Sequence, residues 1–141
     1  MKKLLLLMTS AVILSCSSDS SSSESDNALI GKWTQEKEST YLNGNLISES
    51  LNSNESCYQM TTYEYKSNNT FVKVSYDFEL NDCIQNPTRT GTWSLSGENL
   101  SITLNGTSET KILVSATSSI LKLKSVDSEN SFTIYEYSKV E

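Results

Sequence analysis

An unbroken alternation near the middle of the chain most constrains how it can fold. Val72, Val74, Tyr76, Phe78 and Leu80 alternate with Lys73, Ser75, Asp77 and Glu79. A period of two puts the apolar set on one face of a strand, whereas a helix would scatter it around its circumference. The run Tyr58 to Tyr65, rich in aromatics and threonine, lies just before it, and Lys66-Ser67-Asn68-Asn69 between the two has turn chemistry. A hairpin is expected, with Tyr65 facing Phe71 and with Tyr58 and Met60 opposite Phe78 and Tyr76. Phe71 is out of phase with Val72 onward, which calls for a β-bulge or burial on both faces at that point.

The same period continues on both sides. Trp93 and Leu95 are in phase within Thr90 to Ser96, Ser96-Gly97-Glu98-Asn99 reverses the chain, and Leu100, Ile102 and Leu104 alternate on the return. Asn105-Gly106 marks the next turn, after which Lys111 to Ala116, Ile120 to Val126 and Phe132 to Ser138 read as strands. Upstream, Gly31 to Tyr41 passes through the hairpin dipeptide Asn43-Gly44 into Asn45 to Ser50. The single proline, Pro87, falls in a loop, where no ladder donor is needed. Consecutive hairpins without crossover helices make this an all-β chain: a small antiparallel up-and-down β-barrel of about eight to nine strands, closed so that no edge is exposed. A two-sheet sandwich has the same local signals and is the alternative.

Ahead of this domain, residues 1–15 have the form of an export signal. Lys2 and Lys3 are followed by the apolar run Leu4 to Leu14, broken only by Thr9 and Ser10, and Ser15 is the small residue before Cys16. As a helix the run reaches only about 16 Å, roughly half of a hydrocarbon core, so it is not a stable membrane span. Ile13-Leu14-Ser15-Cys16 resembles the lipobox of bacterial lipoproteins, in which the cysteine sulfur takes a diacylglycerol and becomes the first mature residue. Cys16 is therefore the expected lipidation site, and its acyl chains are the expected link to the membrane. Residues 16–27 continue as a serine and acidic tether with nothing apolar to bury, about 18 Å in typical reach. Such a run after the lipidated cysteine also resembles the tag that sends lipoproteins of the Bacteroidota to the outer face of the outer membrane; a plain linker is the competing reading. The expected location is the bacterial cell envelope, at the outer membrane.

Composition excludes several functions. The formal charge of −6 becomes −8 once Lys2 and Lys3 are removed, which argues against nucleic acid or anionic headgroups as surface partners. The chain has no histidine, so the commonest general base and the commonest metal ligand are both missing. No enzyme, no cofactor and no metal site is expected. Asp77, Glu79, Asn81 and Asp82 could offer oxygen ligands to calcium, but they lack an EF-hand loop and fit a solvated face better. With Cys16 assigned to lipid, Cys57 and Cys83 remain as a pair in an oxidising compartment and are expected to form a disulfide, which would staple the open end of the central hairpin. Closing a loop of roughly 27 residues contributes about 3.5 kcal/mol in the chain-entropy model.

Three segments carry a family resemblance. Leu29-Ile30-Gly31-Lys32-Trp33 looks like the Gly-x-Trp opening strand of the lipocalin-like domains. Tyr63-Glu64-Tyr65-Lys66-Ser67-Asn68-Asn69-Thr70-Phe71 and Gly91-Thr92-Trp93-Ser94-Leu95-Ser96-Gly97-Glu98-Asn99-Leu100 resemble their second and third recurring segments. These domains are common as lipoproteins in Bacteroidota, and the resemblance covers nearly all of residues 28–141. It implies a calycin-type barrel able to hold a small hydrophobic or amphipathic ligand, and it transfers no catalytic residue. The chain departs from true lipocalins in being shorter and in having no evident C-terminal helix.

Trp33, Tyr65, Phe71 and Trp93 are the candidate ligand-binding residues, with core packing as their competing role, because a small domain needs the burial large aromatics give. Ligand binding inside the barrel is the first expectation. The other is a structural or interaction lipoprotein with a filled barrel that meets a protein or glycan through its surface.

Overall fold

The computed structural model describes residues 28–51 and 57–141. The signal segment 1–15, Cys16 and the tether lie outside the described residues. Strand β1 (Gly31–Leu42) turns through Asn43-Gly44, both at positive φ, into β2 (Asn45–Leu51). That is the backbone a two-residue hairpin of the primed type requires. A single turn of 3₁₀ helix, Cys57–Met60, then leads into β3 (Thr62–Tyr65), β4 (Thr70–Val74), β5 (Tyr76–Glu79) and β6 (Asp82–Gln85). The rest is a meander of β7 (Arg89–Ser96), β8 (Asn99–Leu104), β9 (Thr107–Ala116), β10 (Ile120–Ser128) and β11 (Ser131–Lys139).

Neighbouring strands pair in the order β11-β10-β9-β8-β7-β4-β3-β1-β2, and β11 pairs back onto β1. Every pairing is antiparallel. The result is a closed eight-stranded barrel, with β2 as an extra strand. Strand β1 is long enough to serve two partners on one edge, β3 along Gly31 to Thr34 and β2 along Lys37 to Leu42. The barrel expected from the sequence is therefore the observed fold, and the sandwich is not.

Two local expectations are corrected. The run from Tyr58 is not strand until Thr62, so Tyr58 and Met60 do not lie opposite Phe78 and Tyr76. The alternating run 72–80 breaks at Ser75, and its second half pairs with β6 as a separate two-stranded sheet. Asn86 fixes the break, donating its backbone N–H to the Ser75 carbonyl at 2.8 Å. The expected opposition of Tyr65 and Phe71 is present, and neither strand pair flanking β4 shows a register shift. Phe71 is in phase with the barrel interior, which puts Val72 and Val74 on the outer face. The Cys57–Cys83 disulfide is present, but it ties the β5–β6 hairpin to the 3₁₀ turn and not to the end of a long hairpin.

One end of the barrel is packed solid. Leu29, Trp33, Tyr65, Trp93, Leu100, Leu113, Leu121 and Leu123 are all buried in a single cluster with Phe71, Ile102 and Tyr137. All but Leu29, which precedes β1, come from the inward phase of a strand, and burying side chains of this size contributes roughly 1.5 to 3 kcal/mol apiece. Both indoles keep a polar partner: Trp33 Nε1 donates to the Leu29 carbonyl at 2.9 Å, and Trp93 Nε1 to the Lys66 carbonyl at 3.0 Å. Gly31 explains the Gly-x-Trp opening, because its φ of +144 is a backbone conformation that residues with a Cβ rarely adopt. The Lys139 ammonium lies 5.1 Å from the centre of the Trp33 ring and bonds the Ile30 carbonyl.

Candidate functional site

The other half of the barrel interior is open. A cavity of about 410 Å³ is lined by Gln35 of β1, Tyr63 of β3, Phe71 and Lys73 of β4, Arg89 of β7, Ile102 and Leu104 of β8, Glu109 and Lys111 of β9, and Tyr135 and Tyr137 of β11. The i, i+2 spacing within these strands marks the lining as the inward face of the barrel. Phe71, Ile102 and Tyr137 belong both to the packed cluster and to the lining, so they form the floor. A second, smaller space of about 290 Å³ adjoins it and shares Tyr63, Lys73 and Arg89 as a wall.

Of the four residues singled out from the sequence, Phe71 alone lines the cavity. Trp33, Tyr65 and Trp93 sit in the packed end, where Tyr65 meets Trp93 edge-on and Phe71 at a tilt, with ring centres 5.7 and 5.0 Å apart. Cys57 and Cys83 lie outside the lining, and Cys16 outside the described residues.

A family model described as a lipocalin-like domain matches residues 29–123. The chain belongs to the lipocalin-like domain family. Two solved structures have a similar fold. A lipocalin-like protein from Bacteroides uniformis is 18% identical, with 77% of this chain and 96% of that one covered and a TM-score of 0.51. An uncharacterized protein from Bacteroides eggerthii is 14% identical, with 79% and 99% covered and a TM-score of 0.53. At these identities the likeness is one of fold. No curated protein matches the chain.

The interior of this lipocalin-like barrel is less apolar than the sequence implies. Lys111 places its ammonium 4.4 Å from the centre of the Tyr135 ring, and Lys73 places its own 5.3 Å from that of Tyr63. Such contacts suit a cation that has lost part of its water. Burial holds the Lys111 amine below its ordinary range, and Lys73 adds to the effect against the opposing pull of Glu109 and Glu38. The phenols shift the other way. Burial, helped by Glu109, raises Tyr63 to about 12, and burial also raises Tyr135 and, further, Tyr137. The lining therefore sets phenols whose burial favours the neutral form among Lys73, Arg89 and Lys111, with Glu109 as its one carboxylate. Sequence reasoning missed Lys73, Arg89, Glu109 and Lys111 because a charged residue in a strand reads as outward-facing. Two signals were available: Lys73 follows Phe71 by two, and Lys111 precedes Leu113 by two.

Proposed function

We propose that the protein is a membrane-anchored lipoprotein of the bacterial cell envelope, at the outer membrane, whose lipocalin-like barrel binds a small amphipathic ligand. The observation that carries the ligand reading is the half-filled interior: one end is close-packed, while the other leaves about 410 Å³ between an apolar floor and a polar wall. Pockets of a few hundred Å³ with an apolar base and a few converging polar groups are what small-molecule sites look like. Anchoring through Cys16 is supported by the order of basic residues, apolar run, small residue and cysteine at the start of the chain. A binding role, and not a catalytic one, fits a chain without histidine.

The second reading, an interaction protein that works through its surface, draws on β2. All its residues are exposed, Leu46, Ile47 and Leu51 included, and its outer edge has no strand partner among the described residues. Native mass spectrometry of the Cys16→Ser chain separates the two. Co-purifying small molecules, or thermal stabilisation by members of a lipid panel, support the ligand reading; the lack of both sinks it. Metabolic labelling with a fatty acid tests the anchor, which is lost as an idea if the label enters the wild-type chain no better than Cys16→Ser.

A further inference from the structure

The barrel interior carries charge opposite to that of the chain around it. Three of the 11 Lys and Arg residues, Lys73, Arg89 and Lys111, line the cavity, against Glu109 from 17 Asp and Glu, in a chain of net charge −6. Strand pairing sets Lys73 directly opposite Arg89 across β4 and β7. Like charges facing each other across a ladder destabilise a sheet, so packing does not account for the pair. Nor does pairing with acids: the ion pairs among the described residues join Lys37 to Glu49, Lys66 to Glu64 and Lys122 to Glu136, none of them a lining residue. Acidic groups nearby are Glu109, Glu38, whose field reaches Lys111, and Asp77 in the adjoining space. The aromatic contacts of Lys73 and Lys111 occupy no N–H donor in a conventional hydrogen bond, which leaves those donors for an oxyanion.

We propose that the cavity takes an amphipathic organic anion, its carboxylate or phosphate oxygens received by Lys73, Arg89 and Lys111 and its apolar part laid on Phe71, Ile102 and Leu104. This rests on the ligand-binding reading and adds the chemistry of the headgroup. An acidic outer surface and a cationic interior would together select for anions with an apolar body, since a small hydrophilic anion gains nothing from the floor.

The test is isothermal titration of the Cys16→Ser chain with decanoate, decyl phosphate, decanol and decyltrimethylammonium. Decanoate or decyl phosphate is expected to bind about tenfold or more tightly than decanol, the size of one charge-assisted contact, and whichever anion binds tighter identifies the headgroup. Lys73→Met and Lys111→Met keep the side-chain stem, and each should remove most of the advantage of the anions over decanol. Arg89→Gln, at an exposed position, should do the same with little risk to folding. Lys124→Met, on a lysine stacked on Phe132 and absent from the lining, should change nothing. Equal binding of decanol and the anions overturns the headgroup proposal and leaves the ligand reading standing. Failure of all four probes to bind overturns both.

Discussion

The Tyr65 ring meets the Trp93 indole edge-on, with centres 5.7 Å apart and planes at 89°. Edge-to-face contact brings the positive rim of one ring to the negative face of the other and is worth about 0.5 to 1.5 kcal/mol beyond area burial. Trp93 also ties the β3–β4 turn to β7, because its Nε1 donates to the Lys66 carbonyl at 3.0 Å. Trp93→Ala should therefore cost about 3 to 5 kcal/mol. Trp93→Phe should cost less, since it keeps a ring and the Lys66 carbonyl still accepts the Asn69 N–H at 3.0 Å. Urea unfolding followed by circular dichroism reads both, and equal losses would show that the ring Phe retains contributes nothing.

The disulfide gives a prediction of a different shape. Cys57 and Cys83 are 26 positions apart, and the bond joins the 3₁₀ turn to the small β5–β6 sheet. Breaking it frees a loop whose closure is worth about 3.5 kcal/mol in the chain-entropy model. It leaves the packed barrel end untouched, since both tryptophans lie elsewhere. Cys57→Ala/Cys83→Ala should lower the unfolding midpoint while keeping the near-ultraviolet signature of the indoles, and limited proteolysis should cut within 76–85 first. Early cleavage in the barrel strands instead would mean that the bond holds the barrel itself.

Much of the fold was legible because it is written locally. Asn43-Gly44 and Asn105-Gly106 adopt positive φ throughout, as a hairpin dipeptide should, and Tyr65 faces Phe71 across a turn whose residues announce it. The break at Ser75 was not legible. The alternation runs through it undisturbed, and the choice of β6 as partner depends on a turn at Leu80-Asn81, where a leucine takes φ +50 without any local signal. The cavity was hidden for a related reason. Apolar residues reveal which face is inward, and Trp33, Tyr65 and Trp93 marked the interior correctly, but only the closure of the barrel decides which end they fill. Lys73 and Lys111 share that inward phase, against the expectation that desolvating a charge is costly.

Gly91 is required by contact and not by turn geometry. It pairs with Phe71 on one side and Leu104 on the other, and a Cβ there would run into the backbone carbonyl of Thr103. A backbone oxygen in a ladder cannot swing aside, so Gly91→Ala must push β7 and β8 apart. A loss of about 1 to 3 kcal/mol is expected, with Thr92→Ala next to it, on an exposed position, as the control. Comparable midpoints for the two variants would refute the close-approach explanation.

The interior phenols predict how the protein fails in alkali. Tyr63, Tyr65 and Tyr137 all have raised pKa values, with burial the largest cause. A group whose pKa is higher in the folded state favours folding below its unfolded value and loses that contribution as pH rises through the folded one. For Tyr63, raised from 10.0 to about 12, the contribution is about 3 kcal/mol, fully present below pH 10 and gone above pH 12. Unfolding is thus expected to set in above pH 10, with phenolate absorbance from these rings rising together with loss of strand signal. Independent, gradual ionisation of all tyrosines below pH 10 in a still-folded protein would contradict the buried environment.

Lys111 sets stability against binding. Its amine is held below the ordinary 10.5, chiefly by burial, so the folded state disfavours the charged form. The penalty is present at neutral pH and lifts as pH rises through the lowered value toward 10.5. Lys111→Met keeps an apolar side chain of similar length and removes the desolvated charge over the Tyr135 ring. The variant should unfold at higher urea, by about 1 kcal/mol, as is common when a residue kept for function is replaced by one that suits its surroundings. The same substitution is expected to weaken decanoate binding, and the two effects together distinguish a functional lysine from a structural one. A structural Lys111, contributing through its contact with the Tyr135 ring, would make the variant less stable and leave the preference for anions unchanged.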